Sequence, residues 1–382
     1  MVLNPGTTST KLGVFTRAGE EMARNIHHGD EEIERFRGRP ILDRLEYRVA
    51  RIESALSEAG FTPKGKGTEC WAAVAGRGGL LPPMDCGTYL VDDTMVEELR
   101  RARRGEHASN LGAVLALKFA TAAGVKAYIV DPVTVDEWQE CARLSGSPLV
   151  KRTFIGHALN TKAVARRYAR EQGRRYEEMR LIVVHMGSGV TVTAHRGGRM
   201  IDSNSIEEGP FGPDRTGSLP VRELIRLCFS GKMTEGELDR HVFGDGGLFA
   251  YLGTRDLMEV ERRMDAGDRQ AAAVFEAMAY QIGKETGAMA AVLRGGVNGG
   301  KVDAVLVTGG MAHSERLVAR LRGSVEWIAP VAVYPGEDEL RALAEGVFRV
   351  LDGEEEAKRM GKAGTEGPRD QGNKGTSERV NE

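Results

Sequence analysis

Two stretches of the sequence place Gly, Ser and Thr residues where a β-hairpin would have its tip. They span residues 2–15 and 183–193, and each reads as a buried strand, a Gly/Ser/Thr turn and a second strand of alternating pattern. At such a tip the backbone N–H groups and hydroxyls can bind an anion, and glycine allows a ligand to approach closely. Either stretch alone is equally well an ordinary hairpin. Two of one design, about 180 residues apart, predict duplicated domains that face one cleft.

A third stretch, residues 302–314, supports the same interpretation. It is an apolar strand followed by Gly309 and Gly310 and then by a helix, an arrangement that brings backbone against a nucleotide. Neither G-x-x-x-x-G-K-S/T nor G-x-G-x-x-G occurs in the chain. Two anion-binding hairpins together with a strand that leads into a Gly pair resemble the layout of the actin-like phosphotransferase superfamily.

The remaining chain alternates strand and helix patterns, which predicts an α/β fold. Strands are predicted at 2–4, 10–15, 72–76, 126–131, 180–186, 190–195 and 302–308, and helices at 40–60, from about 93, at 108–122, 270–294 and 338–350. We expect two duplicated actin-like (ribonuclease H-like) domains, residues 1–140 and 141–352, each with a mixed sheet flanked by helices. The ATP cleft would lie between them, with the last helix able to pack back on the first domain. Residues 353–382 are predicted to be a disordered charged tail.

The composition excludes several classes of function. The 382 residues carry 53 Lys and Arg against 55 Asp and Glu, a net charge of −2 that supplies no field for nucleic acid. No run approaches the roughly 18 apolar residues of a membrane span and no secretory signal is recognisable, so a cytoplasmic protein is expected. Four scattered cysteines argue against disulfides or zinc, which leaves a hard ion held by oxygens as the expected metal.

Six motifs, in order along residues 1 to about 350, resemble the acetate and butyrate kinase family. They are NPGTTSTK at 4–11, GRGGL at 76–80, GEHASNLG at 105–112, HALNTKAVAR at 157–166, FGPDRTG at 211–217 and YPGEDE at 334–339. The resemblance implies ATP- and Mg²⁺-dependent, reversible, direct in-line phosphorylation of butyrate or a branched C4–C5 acid, giving acyl phosphate and ADP. A homo-oligomer, a dimer or a multiple of dimers, is also expected, since the near-zero charge and the Ala-rich stretch 270–294 are compatible with subunit packing. The alternatives are an acetate or propionate kinase and, outside this family, an actin-like ATP-driven chaperone or filament protein.

Phosphoryl transfer between two anions needs positive charge, so arginines are the first candidates for catalysis. Arg215, in a Gly- and Pro-rich loop, matches the family's catalytic arginine, and Arg77, at the end of the 72–76 strand, is predicted to anchor the carboxylate. Relatives that act on acetate carry that anchor about three residues earlier, where this chain has Val74. A chaperone or filament protein has no need for these arginines.

Three histidines and one aspartate complete the expected catalytic and binding set. By resemblance, His157 lies at the transferring phosphoryl group, and His107 and His185 line the cleft on the substrate and nucleotide sides. A histidine at the end of a strand, as His185 is, equally suits a satisfied core position. Asp131 ends a strand, where its carboxylate would orient Mg²⁺ or a catalytic arginine or, alternatively, cap the following turn.

Gly156 stands where the family's butyrate-specific members typically have phenylalanine. Its small size is predicted to leave room for a longer or branched acyl chain. The alternative is that Phe154 or Ile155 refills the space.

The resemblance also assigns residues to the nucleotide and the metal. The nucleotide set is Thr7, Ser9, Lys11, His185, Gly187, Ser188, Gly189, Arg255, Gly309 and Gly310. The metal set is Asn4, Glu337 and Asp338, of which Asp338 falls at the matching offset from Pro335. The acidic run at 337–339 also suits the first turn of a helix, where negative charge is favourable.

Overall fold

Two mixed β-sheets form the centre of the protein. The computed structural model describes residues 1–66, 69–205, 208–295 and 299–361. The first sheet has the strand order β3-β2-β1-β6-β8-β7 and the second β11-β10-β9-β12-β13, while β4 and β5 form a separate pair. The strands are β1 (Val2–Pro5), β2 (Ser9–Thr16), β3 (Gly19–His27), β4 (Gly65–Lys66), β5 (Glu69–Cys70), β6 (Ala73–Arg77), β7 (Thr88–Leu90), β8 (Lys126–Val130), β9 (Arg180–Met186), β10 (Val190–Arg196), β11 (Arg199–Ser203), β12 (Ala304–Gly309) and β13 (Val331–Pro335).

The two sheets repeat one topology. In each, three consecutive strands pair antiparallel, β1-β2-β3 and β9-β10-β11. The first strand of each trio then pairs in parallel with a later strand, β6 or β12, and a second parallel strand follows, β8 or β13. The predicted α/β fold with duplicated actin-like sheets is therefore confirmed, and the predicted strands agree with the observed ones to within a residue or two. The limits of the two domains stay a prediction.

Helices flank both sheets. They are α1 (Asp30–Arg35), α2 (Leu45–Glu58), α3 (Asp93–Arg101), α4 (Asn110–Ala123), α5 (Glu140–Arg143), α6 (Ala158–Glu171), α7 (Val221–Cys228), α8 (Glu235–Phe243), α9 (Gly247–Leu252), α10 (Leu257–Asp265), α11 (Arg269–Arg294), α12 (Glu315–Val325) and α13 (Glu339–Leu351), with 3₁₀ turns at Ile41–Arg44, Tyr176–Glu178 and Gly310–His313. Within the described residues, none of the helices has both the length and the apolar character needed to cross a membrane.

The last helix carries the chain back to the first sheet. Ala344 and Val347 of α13 belong to one buried cluster with Val2 and Ala75 of the first sheet. This packing brings the first turn of α13 next to the end of β6, so acidic residues from the C-terminal part of the chain reach the first hairpin.

Residues 353–361 correct the predicted start of the tail. Lys358 N donates to Thr88 O, and Leu90 N donates to Lys358 O, both at 2.8 Å. The Glu355 carboxylate accepts from Thr88 N at 2.6 Å. The prediction of a disordered segment from residue 353 is wrong for this part, because the open edge of β7 binds it through the Lys358 backbone and the Glu355 carboxylate. The rest of the predicted tail, 362–382, lies outside the described residues.

Candidate active site

The loop that carries Arg215 packs directly on the tip of the second hairpin. Asp214 N lies 3.4 Å from Ser188 O, and a Cβ on Gly189 would come within 2.9 Å of Arg215 Cδ. A side chain at 189 would therefore displace Arg215 from its present place against the tip. Arg215 Nε is 3.8 Å from Asp214 Oδ1, and it has no hydrogen-bond partner within the described part of the chain. The guanidinium thus keeps donor capacity for a ligand.

Arg77 contributes a second cationic group from the end of β6. Its guanidinium forms an ion pair with Glu339, whose carboxylate also accepts a hydrogen bond from the Asn4 amide. Both members of the ion pair are about nine-tenths buried. Burial lowers the pKa of Arg77 to about 10, opposed by the charge of Glu337, so Arg77 remains charged at neutral pH.

His157 and His185 stack on each other where α6 meets the second sheet. Their ring centroids are 3.8 Å apart with an interplanar angle of 15°. His157 Nδ1 is 3.0 Å from Thr191 Oγ1, while His185 Nδ1 lies 2.9 Å from Asn160 Oδ1 and His185 Nε2 lies 3.0 Å from Glu337 Oε1. His185 is fully buried, as the core alternative foresaw, yet it contacts a carboxylate of the site.

Burial, together with Arg77 and Arg215, lowers the pKa of two histidines of the site. Burial, the neighbouring His185 and then the charges of Arg77 and Arg215 hold the pKa of His157 well below its usual range. Burial and the same two arginines lower the pKa of His107. The structure therefore brings Arg77, Arg215, His107 and His157 into one region, and His157 is neutral there.

The acidic residues of the site come from the start of α13. Glu337 is a carboxylate, because the close contact with His185 lowers its pKa, with further lowering by the charges of Lys11 and Arg77. Asp338 does not face Asn4: its carboxylate caps α13 through Arg341 N and pairs with the Arg341 side chain. The structure corrects the sequence here, since Glu339 is the carboxylate beside Asn4.

The donor set at this place suits Mg²⁺. Glu337 and Glu339 offer carboxylate oxygens, the hard ligands that Mg²⁺ prefers, and Asn4, whose Nδ2 donates to Glu339, still has its amide oxygen to offer. Among the described residues no three His, Cys, Asp or Glu side chains are grouped closely enough to hold a metal by themselves. Mg²⁺ normally completes its shell with phosphate oxygens and water, so a partial set of protein oxygens fits it.

The first hairpin tip and the Gly309–Gly310 pair expose different groups to a ligand. Thr7 is exposed at the tip, with Ser9 and Lys11 partly buried behind it. Gly309 has φ 92°, and its N–H and C=O both bond to Gly336. The positive φ that glycine allows is therefore used where β12 pairs with β13. Gly310 is exposed, and a Cβ there would meet nothing within 4 Å, which leaves the space beside it open to a ligand.

Asp131 lies in a buried ion pair and not beside Mg²⁺ or a catalytic arginine. It is fully buried, and it pairs with Arg166 Nη1 at 2.7 Å and accepts from Gly87 N at 2.8 Å. Burial opposes its ionisation, but the charges of Arg166 and Lys162 outweigh burial and lower its pKa. The expected contact with Mg²⁺ or a catalytic arginine is replaced by a buried ion pair, because α6 supplies a cation that strand patterns do not reveal.

Arg255 braces the Arg215 loop in this structure. Among the described residues, its side chain hydrogen-bonds Gly244 O and Asp245 and lies 3.7 Å above the Phe249 ring. Its Nε is also 4.0 Å from Asp214. These contacts tie Arg255 to the loop, and its assignment to the nucleotide set stays a prediction.

The space beside Gly156 is filled. A Cβ on this residue would lie 2.6 Å from Phe154 Cζ, and Phe154 is itself buried. The alternative in which Phe154 refills the space is therefore correct, and the open acyl pocket predicted from Gly156 is not present at that point.

Sequence reasoning missed Arg48 as well as Glu339. Arg48 lies within the apolar stripe of α2 formed by Leu45, Val49 and Ile52, and it is 1% exposed. A charged residue on such a stripe needs buried partners, which is the signal that would have identified it. Glu339 carried no comparable signal, because three consecutive acidic residues leave open which of them faces inward.

Solved structures share this architecture. The acetate kinase of Porphyromonas gingivalis superposes with a TM-score of 0.73 at 18% identity, covering 92% of this chain and 98% of that one. A propionate kinase from Francisella tularensis subsp. tularensis SCHU S4 gives 0.67 at 14% identity, covering 90% and 97%. At these identities the likeness shows the fold alone, a two-domain actin-like α/β fold.

Sequence relatives identify the family. The model of the acetokinase family matches residues 148–326. A probable butyrate kinase of Clostridium botulinum (strain Alaska E43 / Type E3) is 46% identical over 360 residues, which is 94% of this chain and 98% of the relative. Butyrate kinase 2 of Clostridium acetobutylicum is 45% identical over 361 residues with the same coverage. The chain therefore belongs to the acetokinase family, and within it the sequence resembles proteins named butyrate kinase.

Proposed function

We propose that this protein is an ATP-dependent kinase of short-chain carboxylic acids, which transfers the terminal phosphoryl group of ATP to a carboxylate oxygen and forms acyl phosphate and ADP. The observation that carries the proposal is the convergence of Arg77, Arg215 and a neutral His157 beside a Gly-rich hairpin tip. Two anions that react with each other need fixed cations and hydrogen-bond donors around the transferring group. The names of the relatives support a carboxylate as the acceptor.

The roles follow from the groups that each residue offers. Arg215 lies against the second tip, where its guanidinium would stabilise the transferring phosphoryl group. Arg77 would bind the carboxylate on the side of the first sheet, with His107 nearby. When Nδ1 of the neutral His157 accepts from the Thr191 hydroxyl, the Nε2–H group can donate to a phosphoryl oxygen. No side chain needs to form a covalent intermediate, so direct in-line transfer is the simplest route.

The nucleotide would lie along both tips. Thr7, Ser9 and Lys11 of the first hairpin and residues 187–189 of the second would hold the phosphates, with His185 behind them. The Gly309–Gly310 segment would line the ribose and adenine. Mg²⁺, when bound with ATP, neutralises phosphate charge, and Asn4, Glu337 and Glu339 would supply its protein oxygens.

For the acyl group we propose butyrate or a branched C4–C5 acid over acetate. Relatives named butyrate kinase are 45–47% identical to this chain, whereas the acetate and propionate kinases of known structure are 14–18% identical. Two further methylenes, each worth about 0.8 kcal/mol when buried, would give roughly tenfold in kcat/KM. Since Phe154 fills the space beside Gly156, this preference does not depend on that glycine.

A homo-oligomer is also proposed, with α7 as its contact. No residue of α7 is buried, and Val221 and Ile225 on the helix and Phe229 just after it are 69%, 52% and 87% exposed at a spacing of four residues. Such a stripe buries itself well against a second copy of the same surface. Phe229→Glu should lower the molar mass measured by light scattering to that of a single chain, whereas Trp327→Glu, at an exposed aromatic residue elsewhere, should not. An unchanged mass in Phe229→Glu would exclude this surface.

The kinase assignment is tested by ADP release with acids of two to five carbons. We expect release that requires both Mg²⁺ and the acid, with kcat/KM for butyrate, isobutyrate or a branched C5 acid at least about tenfold above acetate. ADP release at the same rate without any acid would contradict the proposal. Equal kcat/KM for acetate and butyrate would contradict only the acyl preference.

A further inference from the structure

Arg48 is a buried cation whose side chain is directed at the first hairpin tip. The tip comprises residues 6–8, between β1 and β2. Arg48 Nη2 donates to Gly6 O at 3.0 Å and to Thr7 O at 3.3 Å, and Nη1 donates to Ser9 O at 3.2 Å. Nη1 also donates to Thr10 Oγ1 at 2.6 Å. One guanidinium thus binds three backbone carbonyls and one side chain of the hairpin.

These bonds fix the direction of the N–H groups at the tip. In a planar trans peptide the C=O and the N–H of the next residue point in opposite directions. Because the carbonyls of Gly6 and Thr7 point at Arg48, the N–H groups of Thr7 and Thr8 point away from α2. Both threonines are exposed, and among the described residues neither N–H donates to another protein group. Two adjacent N–H groups that are free and aligned form an anion-binding concavity.

A second set of contacts holds Arg48 itself in place. Thr10 Oγ1 accepts from Arg48, which has only donors, and it lies 3.0 Å from His28 Nε2. The Thr10 hydroxyl is then able to donate to His28, whose Nδ1 is 3.2 Å from Tyr47 Oη. The guanidinium therefore has a defined orientation from both the backbone and the side chains of the first hairpin.

We propose that Arg48 is a positioning residue that presets the first hairpin tip for the phosphate of the nucleotide. It acts through the carbonyls of the tip, which it turns inward, and its charge lies beneath the N–H groups that would meet the phosphate. The inference rests on the proposed function, since only that function assigns the tip to phosphate. A purely structural arginine could hydrogen-bond to any part of the hairpin. Arg48 instead binds the carbonyls whose direction decides which way the N–H groups of the tip face.

The test compares Arg48→Met and Arg48→Lys with Arg51→Met, an exposed arginine on the same helix, in the full chain. The concentration of folded protein is set by circular dichroism and thermal melting before kinetics. Arg48→Met should lower kcat at least about 10-fold while the KM for the carboxylate stays within about twofold, because misplaced groups at the reacting centre cost rate. Arg48→Lys should be intermediate, since an ammonium keeps the charge but not the fork. Arg51→Met should match the unmodified protein.

The result that overturns the inference is a folded Arg48→Met variant with a lower melting temperature and a kcat within about twofold of the unmodified protein. If Arg48→Met does not fold, Thr10→Val carries the test, with Thr10→Ser as its matched control. A kcat at least about threefold lower in Thr10→Val alone supports the role, and equal kcat values in the two variants overturn it. If the unmodified protein phosphorylates no carboxylate, the proposed function has failed, which is a separate outcome from a normal rate in the variants.

Discussion

Replacing Asp131 by Asn removes one negative charge from a buried ion pair and changes little else. The side chain of Asp131 is fully buried, and its partner Arg166 is 22% exposed. Removing one partner of such a pair costs about 3 to 5 kcal/mol because the other charge stays uncompensated, and the partial exposure of Arg166 places the expected loss near 3 kcal/mol. Asn keeps an oxygen for Gly87 N and tolerates the φ of 38° at this position, so the loss reports the charge.

The same substitution should change the dependence of stability on pH. The pKa of Asp131 is lowered in the folded protein, so its stabilisation is present above the unfolded value near 3.9 and is lost as the pH falls through the folded pKa. The difference in free energy of unfolding between the unmodified protein and Asp131→Asn should therefore be constant from about pH 5 to pH 8. It should shrink below about pH 4.

Urea unfolding and kcat measured on the same preparations distinguish a structural from a catalytic role. Asp131→Asn should lose about 3 kcal/mol of stability while kcat per folded molecule changes less than about threefold. Asp131→Ala should lose at least about 1 kcal/mol more, because it also gives up the bond to Gly87 and places alanine at positive φ. A stable Asp131→Asn variant whose kcat falls on the order of 10²-fold would refute the reasoning and return Asp131 to the reacting groups.

Three further predictions concern the loop, the tip and the C-terminal segment. Arg215→Ala should lower kcat on the order of 10²-fold or more, because the lost charge acts on the transition state. The affinity for ATP, measured by calorimetry, should change little. A near-normal kcat would rule out this role of Arg215. Gly189→Ala should lower kcat at least about 10-fold, since its methyl group would displace Arg215. The control Gly323→Ala, which has open space around its Cβ, should not lower kcat. Equal rates in the two variants would contradict the packing of Arg215 on Gly189. Ending the chain after residue 352 should lower the melting temperature by several degrees, because the contacts to β7 are lost. Ending the chain after residue 361 should leave the melting temperature unchanged. Identical melting curves for the two variants would show that the contacts of residues 353–361 contribute nothing to stability.

The sequence predicts seven of the thirteen strands of the described residues, and both hairpin tips, because these depend on local patterns. Buried strands are short apolar runs, and a Gly-rich turn between two of them is visible without knowledge of the fold. The pairing of Asp131 with Arg166 is different, since the two residues are 35 positions apart and meet only when α6 packs beside β8. A carboxylate after a strand looks the same in sequence whether it faces a ligand or an arginine.

Two other corrections have equally specific causes. Which of the consecutive carboxylates at 337–339 faces Asn4 is set by the start of α13, where Asp338 turns back to cap the helix and Glu339 enters its first turn. Composition predicts a tail over residues 353–361 because it reports how much apolar surface a segment can bury, whereas this segment is held at the open edge of β7 by backbone hydrogen bonds of Lys358 and by the Glu355 carboxylate. Neither the direction of a helix cap nor an open strand edge can be read from residue types alone.

The central claim, phosphoryl transfer from ATP to a carboxylate, is tested most directly by trapping the product. Hydroxylamine converts an acyl phosphate to a hydroxamate and releases phosphate, and the hydroxamate forms a coloured complex with added ferric ion. Incubation with ATP, Mg²⁺ and butyrate therefore reports the new bond itself. The account predicts butyryl hydroxamate in amounts equal to the ADP formed, and none of it when ATP or butyrate is left out. ADP formation without hydroxamate, with butyrate present at saturating concentration, would contradict the account.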